Sequence, residues 1–333
     1  MKIGFVEKIE DENLPIYFTN NYINVFAKYD KSSLRILEIE KESSKVFLPI
    51  LIHKLDYFYE AYTCYGYGGF YSKEKNIRLT EEEIEELKLF LKNNGIIDLF
   101  IRNTPFLEND RIIPSKYNTL NRKTYIKFLE HYETFEELKK NINQSIRWSV
   151  NYAIKNGLEV RRKFFNDVTN KEINNFYKLY VKTMEYRNAE NYYYFSEEFF
   201  KDHFSNLGNR CELYYIEKDG RFISAAIFLK DFEYVHYHFS ATDREYSKLQ
   251  PMDLLITKAI YDYGSEGYKY LHLGGGLTLE GNDGLSKFKK KYSDLEKEFY
   301  ISKIICDEKE YYNNREKYGV TNSSIFLIKD AIK

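Results

Sequence analysis

The sequence predicts a mixed α/β protein (α+β, with mixed sheets) of two domains, on three observations. Its 333 residues exceed the usual size of a single domain. Its 43% hydrophobic content, with 18% aromatic residues, supports a large buried core and excludes a disordered chain. Strand-like segments and helix-like segments with capping residues alternate along the chain. Only 16 glycines and five prolines exclude collagen-like and low-complexity classes.

In the first half, strands and helices are predicted in mixed order. Thr80-Glu81-Glu82-Glu83 is a capping box that opens a helix ending at Gly95. A second helix is predicted over residues 13–29. The predicted strands cover residues 2–9, 34–40, 45–55, 96–102 and 122–129.

The second half has a clearer order. A helical stretch with a break covers residues 134–156, and Asp219-Gly220 is a hairpin turn between two strands. We place the domain boundary at this helical stretch, giving domains 1–135 and 136–333, of which the second carries most of the site, with a cleft between them. The remaining helices are predicted over 169–186, 196–207, 251–263 and 283–292. The strands are predicted over 159–165, 212–218, 221–230, 233–242, 268–273 and 298–305.

The overall charge gives no sign of a polyanionic partner, because 50 Lys and Arg residues balance 51 Asp and Glu residues. The 33 tyrosines accompany abundant Lys, Asn and Ile, as A/T-rich codons would produce, so they are weak evidence for a binding platform. Residues 138–163 depart from neutrality, with seven basic residues, one acidic residue and the only tryptophan, Trp148. This stretch is either a phosphate-binding surface for a nucleotide, lipid carrier or tRNA, or a solvated helix.

The cysteines and the N-terminus predict a cytoplasmic, soluble protein. Cys64, Cys211 and Cys306 are far apart and form no CxxC or Cys/His cluster, so neither a metal site nor a disulfide framework is expected. The first residues lack the apolar region of a signal peptide. No apolar run approaches about 18 residues, so no integral membrane segment is expected.

Two glycine-rich segments could carry chemistry. Tyr65-Gly66-Tyr67-Gly68-Gly69 is a loop that allows close approach of a ligand, or a hairpin whose rings fill the core. Gly274-Gly275-Gly276 follows a predicted strand, and successive glycine amides are open to an anion or a carbonyl oxygen; the alternative is a flexible turn. His272 before it is either part of this site or a core histidine.

The helix over 283–292 carries four lysines. Leu285, Phe288 and Tyr292 share one face, and Lys289 falls beside that face. We expect Lys287, Lys290 and Lys291 to point to solvent. An inward Lys289 near the glycines would polarise a carbonyl or hold a phosphate.

His236 and His238 lie two residues apart on one predicted strand and so face the same way. Each is a possible general base for an amine nucleophile, and aromatic packing is the alternative. No third residue at a telling spacing completes a metal site or a triad.

Taken in order from about residue 16 to 300, these motifs resemble the FemAB-like peptidyltransferases of the wider GNAT-like acyltransferase group. The family's Tyr-Gly-Tyr-Gly-Gly loop stands at Tyr65–Gly69, and its Tyr-x-x-Thr-Met-x-x-Arg pattern at Tyr180–Arg187. The other matching motifs are Phe100–Pro105, the basic helix Arg147–Gly157, the His-x-His-x-Ser strand, His272–Gly276 and the Phe288-Lys289 helix.

The resemblance implies two tandem GNAT-like acyltransferase domains, the first degenerate, that transfer an acyl or aminoacyl group to an amine. In Fem-type enzymes the donor is aminoacyl-tRNA and the acceptor a muramyl-peptide precursor of peptidoglycan; other relatives use acyl-CoA on amino sugars or amino acids. No tightly bound cofactor is implied, and the acceptor is lipid-linked or free.

The resemblance also implies roles for particular residues. Lys289 and the amides near Gly274, Gly275 and Gly276 would stabilise the oxyanion. His238 would take the proton of the amine, unless water takes it. The remaining implied substrate-binding residues are Arg102, Arg147 and Arg187 for phosphates or carboxylates, Tyr65, Tyr67, Tyr180 and Tyr237 for the acceptor, and Gly68 and Gly69 in the loop.

One departure from the pattern bears on the donor. The GNAT pyrophosphate signature should precede the helix at Pro251, but residues 246–252 contain no glycine. A backbone nest for CoA is therefore poorly supported, and we expect aminoacyl-tRNA rather than acyl-CoA. Loss of the signature also leaves open a non-catalytic module that binds a glycan or tRNA.

Overall fold

A computed structural model describes residues 1–320 and 327–331 of the chain. It has two compact units: unit 1 is Met1–Arg122 with Lys297–Lys333, and unit 2 is Lys123–Glu296. This division differs from the single boundary expected after residue 135. The reason is that the late strand Leu295–Ile305 pairs with Ile96–Arg102, which returns the end of the chain to unit 1.

The secondary structure alternates as expected. In chain order the strands are β1 (Lys2–Val6), β2 (Ser33–Lys41), β3 (Ser44–Leu55), β4 (Phe58–Tyr62), β5 (Ile96–Arg102), β6 (Asn118–Phe128), β7 (Arg161–Phe164), β8 (Cys211–Lys218), β9 (Arg221–Lys230), β10 (Tyr234–Thr242), β11 (Tyr270–Gly275) and β12 (Leu295–Ile305). The helices are α1 (Asn20–Asp30), α2 (Glu81–Asn93), α3 (Phe135–Asn141), α4 (Gln144–Lys155), α5 (Asn170–Tyr186), α6 (Glu197–Leu207), α7 (Pro251–Ser265), α8 (Gly284–Lys290) and α9 (Glu308–Lys317).

Local sequence signals account for many of these boundaries. Thr80 and Thr169 form capping boxes at the starts of α2 and α5. Thr134 caps α3, because its hydroxyl oxygen accepts a hydrogen bond from the amide of Glu137. The carboxylate of Glu137 accepts from the amide of Glu133 rather than from that of Thr134, so this cap is not a capping box. The turn between β8 and β9 has positive φ at Asp219 and Gly220, as a tight hairpin of this hand requires.

Three elements differ from the expectation. The first helix begins at Asn20 rather than at residue 13, because Pro15 opens a short 3-10 turn and Thr19 then caps α1. Neither β4 nor α9 is predicted. β4 has only five residues, and α9 (EKEYYNNREK) is too polar to show an apolar stripe.

Unit 1 contains a sheet in the order β1-β2-β3-β4-β5-β12. Strands β1 to β4 are antiparallel neighbours, β5 is parallel to β4, and β12 is antiparallel to β5. The parallel connection from β4 to β5 runs through α2, whose Ile84, Leu87 and Leu91 are buried in the core of this unit.

Unit 2 repeats this arrangement in the order β6-β11-β10-β9-β8-β7. Strands β7 to β10 are antiparallel neighbours, β11 is parallel to β10, and β6 is antiparallel to β11. The parallel connection runs through α7. Residues of α4 and α7 share a buried cluster with the sheet. The aromatic side chains of α5 and α6 pack around Phe239 of β10. Since both faces are covered, β8 and β9 are buried almost throughout.

The described residues include no helix with the length and apolar character needed to cross a membrane. Over the same residues, no group of three His, Cys, Asp or Glu side chains is placed to hold a metal ion. Cys64, Cys211 and Cys306 are buried free thiols.

Candidate active site

The parallel strands β10 and β11 separate part-way along their length. Their register pairs Tyr234 with Tyr270 and ends at His236 and His272. Beyond that pair β10 continues to Thr242 and β11 to Gly275, and the described register holds no further pairing between them. We call this opening, between residues 237–242 and 273–275, the strand fork. The carboxyl ends of parallel strands are a favoured place for ligands.

Both strands are irregular where the fork begins. The pairing of β10 with β9 shifts register between Tyr237 and Phe239, and that of β11 with β6 shifts between His272 and Gly274. A bulge redirects side chains and interrupts the ladder, and bulges are frequent beside active sites. The fork therefore exposes backbone groups that a regular sheet would keep paired.

The equivalent strands of unit 1 do not separate in this way. After a register shift between Tyr59 and Glu60, β4 and β5 remain paired to the last residue of β4, where Tyr62 faces Phe100. The chain then continues along β5: the amide of Thr63 donates to the carbonyl of Phe100, and Gly68 forms a bridge with Asn103. The Tyr-Gly loop thus occupies, in unit 1, the place that is open in unit 2.

Lys289 lies at the fork. Its side chain is only 8% exposed, and its Nζ donates to the carbonyl of Gly275 at 2.7 Å. The prediction that Lys289 and the glycine segment come together is thus met in the geometry. An ammonium held beside a strand end is placed to stabilise negative charge on a nearby oxygen.

The loop before α8 is fixed by Asp283. Its Oδ1 accepts the amides of Leu285 and Ser286, and its Oδ2 accepts the amides of Leu277 and Thr278. Burial opposes ionisation, but the hydroxyl of Ser286 and these amides outweigh it and hold the pKa of Asp283 well below its usual value. A fixed start of α8 fixes the position of Lys289.

A buried histidine pair lies at the base of the fork. The Nδ1 atoms of His236 and His272 are 3.4 Å apart, and Nε2 of His236 is 3.9 Å from a carboxylate oxygen of Asp231. Burial, together with His236 and Lys289 nearby, holds the pKa of His272 well below its usual range, so this ring is neutral at neutral pH.

On the other side, Tyr237 reaches α7. Its hydroxyl donates to Sδ of Met252 at 3.3 Å, and burial raises the pKa of Tyr237 to about 12. Next to it, Asp253 accepts from Nζ of Lys291 and from the hydroxyl of Tyr292, each at 2.6 Å. The expectation that Lys291 points to solvent is therefore wrong.

Two predicted residues lie in the aromatic cluster of α5 and α6. His238 packs against His203 and Phe239, with ring centroids 5.5 and 4.1 Å away. Burial, with His203 and His236 nearby, holds the pKa of His238 well below its usual range, which makes it a weak base. Tyr180 is 3% exposed and donates its hydroxyl to the carbonyl of Tyr193 at 2.9 Å.

Two predicted arginines of unit 2 remain accessible. Arg147 on α4 donates to the carbonyl of Lys140 at 3.3 Å. Arg187 ends α5, is exposed, and lies close enough to Tyr237 to lower the pKa of its phenol against the effect of burial.

An open depression of about 500 Å³ lies at the end of β10 and is lined by three cations. Lys182 is bound to Asp243. Arg244 and Lys248 form no ion pair within the described residues. The lining residues of the depression are Lys182, Tyr186, Thr242, Asp243, Arg244, Glu245 and Lys248.

The predicted residues of unit 1 are held by its own core. Tyr67 packs edge-on against Tyr17, Phe106 and Phe299, and burial raises its pKa. Tyr65 stacks on Phe26.

The carbonyl of Gly68 in the Tyr-Gly loop and the side chain of Arg102 are both hydrogen-bonded within unit 1. The carbonyl of Gly68 accepts from Thr104 and Asn109, and a Cβ at Gly69 would meet Asn109 at 2.5 Å. Arg102 donates to the carbonyl of Thr63 at 3.1 Å.

Sequence reasoning misses several contacts at the fork. It does not find the pairing of His236 with His272, nor Asp253 as the partner of Lys291, because these residues are 36 and 38 positions apart. It also overlooks Arg244 and Lys248, for which the only signal is two basic residues between β10 and α7.

Comparisons with known proteins agree with this architecture. The family model of the acetyltransferase (GNAT) domain matches residues 139–290, which include β10, β11 and Lys289. No curated protein matches the chain.

Several solved structures have a similar fold. The alignment with the structure of FemX covers 91% of this chain and 95% of the FemX chain, with 14% identity and a TM-score of 0.66. The C-terminal domain of a putative lysylphosphatidylglycerol synthetase from Agrobacterium fabrum covers 89% and 90%, with 13% identity and a TM-score of 0.54. A tandem GNAT protein from the clavulanic acid biosynthesis pathway covers 92% and 98%, with 7% identity and a TM-score of 0.52.

At these identities the structures show the fold, while the matched domain shows the class of chemistry. Two units of the same topology, one of them opening at the strand fork, are consistent with both findings. The chain therefore has the tandem GNAT fold of FemAB-like proteins and, through its acetyltransferase (GNAT) domain, is an N-acyltransferase.

Proposed function

We propose that the protein transfers an aminoacyl group from aminoacyl-tRNA to an amino group of a cell-envelope precursor, with the reaction at the strand fork of unit 2. The observation that carries this proposal is the contrast between the units: of two equivalent parallel pairs, the one that opens has a buried lysine at its opening. The reaction would take place in the cytoplasm, where charged tRNA is found.

The proposed step joins an amine nitrogen to the carbonyl carbon of the donor ester and breaks the bond from that carbon to the ribose oxygen. Lys289 stabilises the oxyanion that forms in between. The amine loses its proton to water, since His238 is too weak a base, and the ribose oxygen leaves protonated.

The first turn of α7 supports a donor other than acyl-CoA. Pro251 has no amide hydrogen to offer a pyrophosphate, and the amide of Gln250 already donates to Ser247. The name of one structural neighbour, a lysylphosphatidylglycerol synthetase, also describes the making of an aminoacyl lipid.

Accessible cations support a phosphate-bearing donor or acceptor. Arg244 and Lys248 face the depression at the end of β10, and Arg187 lies nearby beside Tyr237. Cationic side chains, in place of a glycine nest, would hold the phosphates of tRNA or of a nucleotide-linked muramyl peptide. We propose Arg187 and Tyr237 as acceptor-binding residues.

Substitution of Lys289 tests the site. Lys289→Ala should lower kcat by about 100-fold or more, because it removes the cation that stabilises the oxyanion. The matched control is Lys287→Ala, an exposed lysine of the same helix, which should retain full turnover. Both variants should keep the wild-type circular dichroism spectrum. Normal turnover by a folded Lys289→Ala protein would remove Lys289 from the mechanism.

The donor is identified by supplying each candidate donor separately. Purified protein is incubated with labelled aminoacyl-tRNA or acetyl-CoA, each with a muramyl-peptide and an amino-sugar acceptor. Product from aminoacyl-tRNA alone supports the proposal, whereas product from acetyl-CoA alone establishes an N-acetyltransferase of amino sugars or amino acids. Binding of the acceptor or tRNA without product from either donor would favour a non-catalytic module.

A further inference from the structure

Helix α4 exposes an unusual pair of rings. Trp148 and Tyr152 are stacked with centroids 5.2 Å apart and planes 10° from parallel. Trp148 is 60% exposed and Tyr152 is 36% exposed. We call this pair the aromatic platform. Large exposed rings are costly to solvate, so a preformed stack at the surface requires an explanation.

Three cations lie on α4 or at the adjoining end of α3. Lys155 shares its helical face, three residues after Tyr152, while Arg147 precedes Trp148 and contacts the last turn of α3, which carries Lys140. None of Lys140, Arg147 and Lys155 forms an ion pair within the described residues. Elsewhere, exposed lysines such as Lys182 are bound to carboxylates. We call these three cations the cationic rim.

From this arrangement we infer that α4 is a binding surface for single-stranded RNA, on which the unpaired bases that precede the terminal nucleoside of the donor tRNA stack. Aromatic faces stack on bases of any sequence, and unpaired cations beside them bind the phosphates. The inference rests on the proposed aminoacyl-tRNA donor and extends it by naming the surface that receives the RNA.

A membrane surface is the other partner that exposed aromatic and basic residues can suit. Interfacial helices bind lipid through a broad apolar face. In α4 that face is already used, because Ile146, Val150 and Ala153 are buried in the core of unit 2. The exposed side offers the aromatic platform and one aliphatic residue, Ile154, which is 42% exposed. This composition favours RNA.

Trp148 is the only tryptophan, so tryptophan emission, excited at wavelengths that the 33 tyrosines do not absorb, reports on the aromatic platform. Titration with a short single-stranded RNA ending in CCA should quench this emission as a base stacks on the indole. Titration with phosphatidylglycerol vesicles should leave it unchanged. Absence of quenching by the RNA, or a blue shift with vesicles only, would overturn the inference.

Variants separate the rings from the charges. Tyr152→Ala should weaken RNA binding by roughly 5- to 150-fold, the range expected for loss of one stacking partner. The control Tyr312→Ala, an exposed tyrosine of α9, should bind as wild type. Lys140→Gln with Lys155→Gln should reduce the slope of log affinity against log salt by about 1.4. Unchanged affinity and slope in these variants would refute the RNA surface.

Kinetics distinguish failure of this inference from failure of the proposed function. Trp148→Ala should raise KM for aminoacyl-tRNA and leave transfer from a 3′-aminoacyl nucleoside unchanged. Transfer from tRNA with an unaltered KM would refute the platform and leave the proposed function intact. RNA quenching in a protein that transfers nothing from any donor would refute the function and leave the platform intact.

Discussion

At the scale of single residues, the fork depends on a glycine that has no room for a side chain. A Cβ added at Gly276 would lie 1.7 Å from the hydroxyl oxygen of Ser286 and 2.8 Å from a carboxylate oxygen of Asp283. Those two side chains form the cap that starts α8. Glycine is therefore required at position 276 because a side chain would not fit there. The close contact of Gly276 with Ser286 and Asp283 links the glycine segment to the helix that carries Lys289.

We predict that Gly276→Ala lowers activity through this cap. The added methyl group must displace Ser286 or Asp283, at a cost of about 1–3 kcal/mol in the free energy of unfolding, and must move α8. The control is Gly284→Ala in the same helix, where an added Cβ meets nothing within 4 Å. Activity assays and urea unfolding of both variants make the comparison. Equal behaviour of the two proteins would contradict the role given to the cap.

The lysines of α8 show what residue spacing predicts well and where it ends. Helical periodicity correctly separates the inward Lys289 from the exposed Lys287 and Lys290. Lys291 lies after the last helical residue, so the helical spacing no longer fixes its direction. Its contact with Asp253, on a different helix, depends on how α7 and α8 pack and is invisible in the local sequence.

At the scale of elements, the parallel pair β4–β5 places two acids side by side. Glu60 faces Asp98 in the register, and both are fully buried. Asp98 is bound to Lys303 of β12, while Glu60 accepts the amides of Ile328 and Lys329 at 2.7 and 3.1 Å. Burial and the neighbouring Asp98 raise the pKa of Glu60 to about 8.

This raised pKa predicts a pH-dependent effect of Glu60→Gln. A carboxyl whose pKa rises on folding stabilises the protein below its unfolded pKa of about 4.5, and this contribution is lost as the pH rises toward 8. Glutamine stays neutral, so the free energy of unfolding of the variant should rise relative to that of the wild type between pH 5 and 8, by on the order of 3 kcal/mol. Urea unfolding at several pH values measures this difference. The exposed control Glu42→Gln should show a constant difference; a constant difference for Glu60→Gln would contradict the shared burial of the acids.

At the scale of the whole molecule, the units differ in their buried titratable groups. Unit 2 buries His203, His236 and His272 and encloses most of His238, and burial lowers the pKa of each. For His203 the pKa falls to about 4. A histidine whose pKa falls on folding stabilises the protein above its unfolded pKa of about 6.5, and this contribution is lost as the pH falls toward 4.

We therefore predict that mild acid destabilises the protein through unit 2. Between pH 7 and pH 5, amide exchange, corrected for its intrinsic pH dependence, should lose protection in β10 and β11. His203→Leu should lessen this loss, since its ring is enclosed by Phe199 and Phe239 and leucine has no proton to bind. The exposed His131→Gln in the same unit should change nothing. Protection that is independent of pH in this range would contradict the prediction.

The sequence by itself determines most of the strands and helices, the cap at Thr80, the hairpin at Asp219-Gly220 and the inward direction of Lys289. These follow from periodicity, capping and turn chemistry, which act over a few residues. Only the tertiary structure decides that β12 returns to β5, that His236 meets His272, and that β10 and β11 separate after that pair. The reason is physical: strand pairing and its interruption depend on partners far apart in the chain, and two units of the same topology differ in whether their parallel strands stay together.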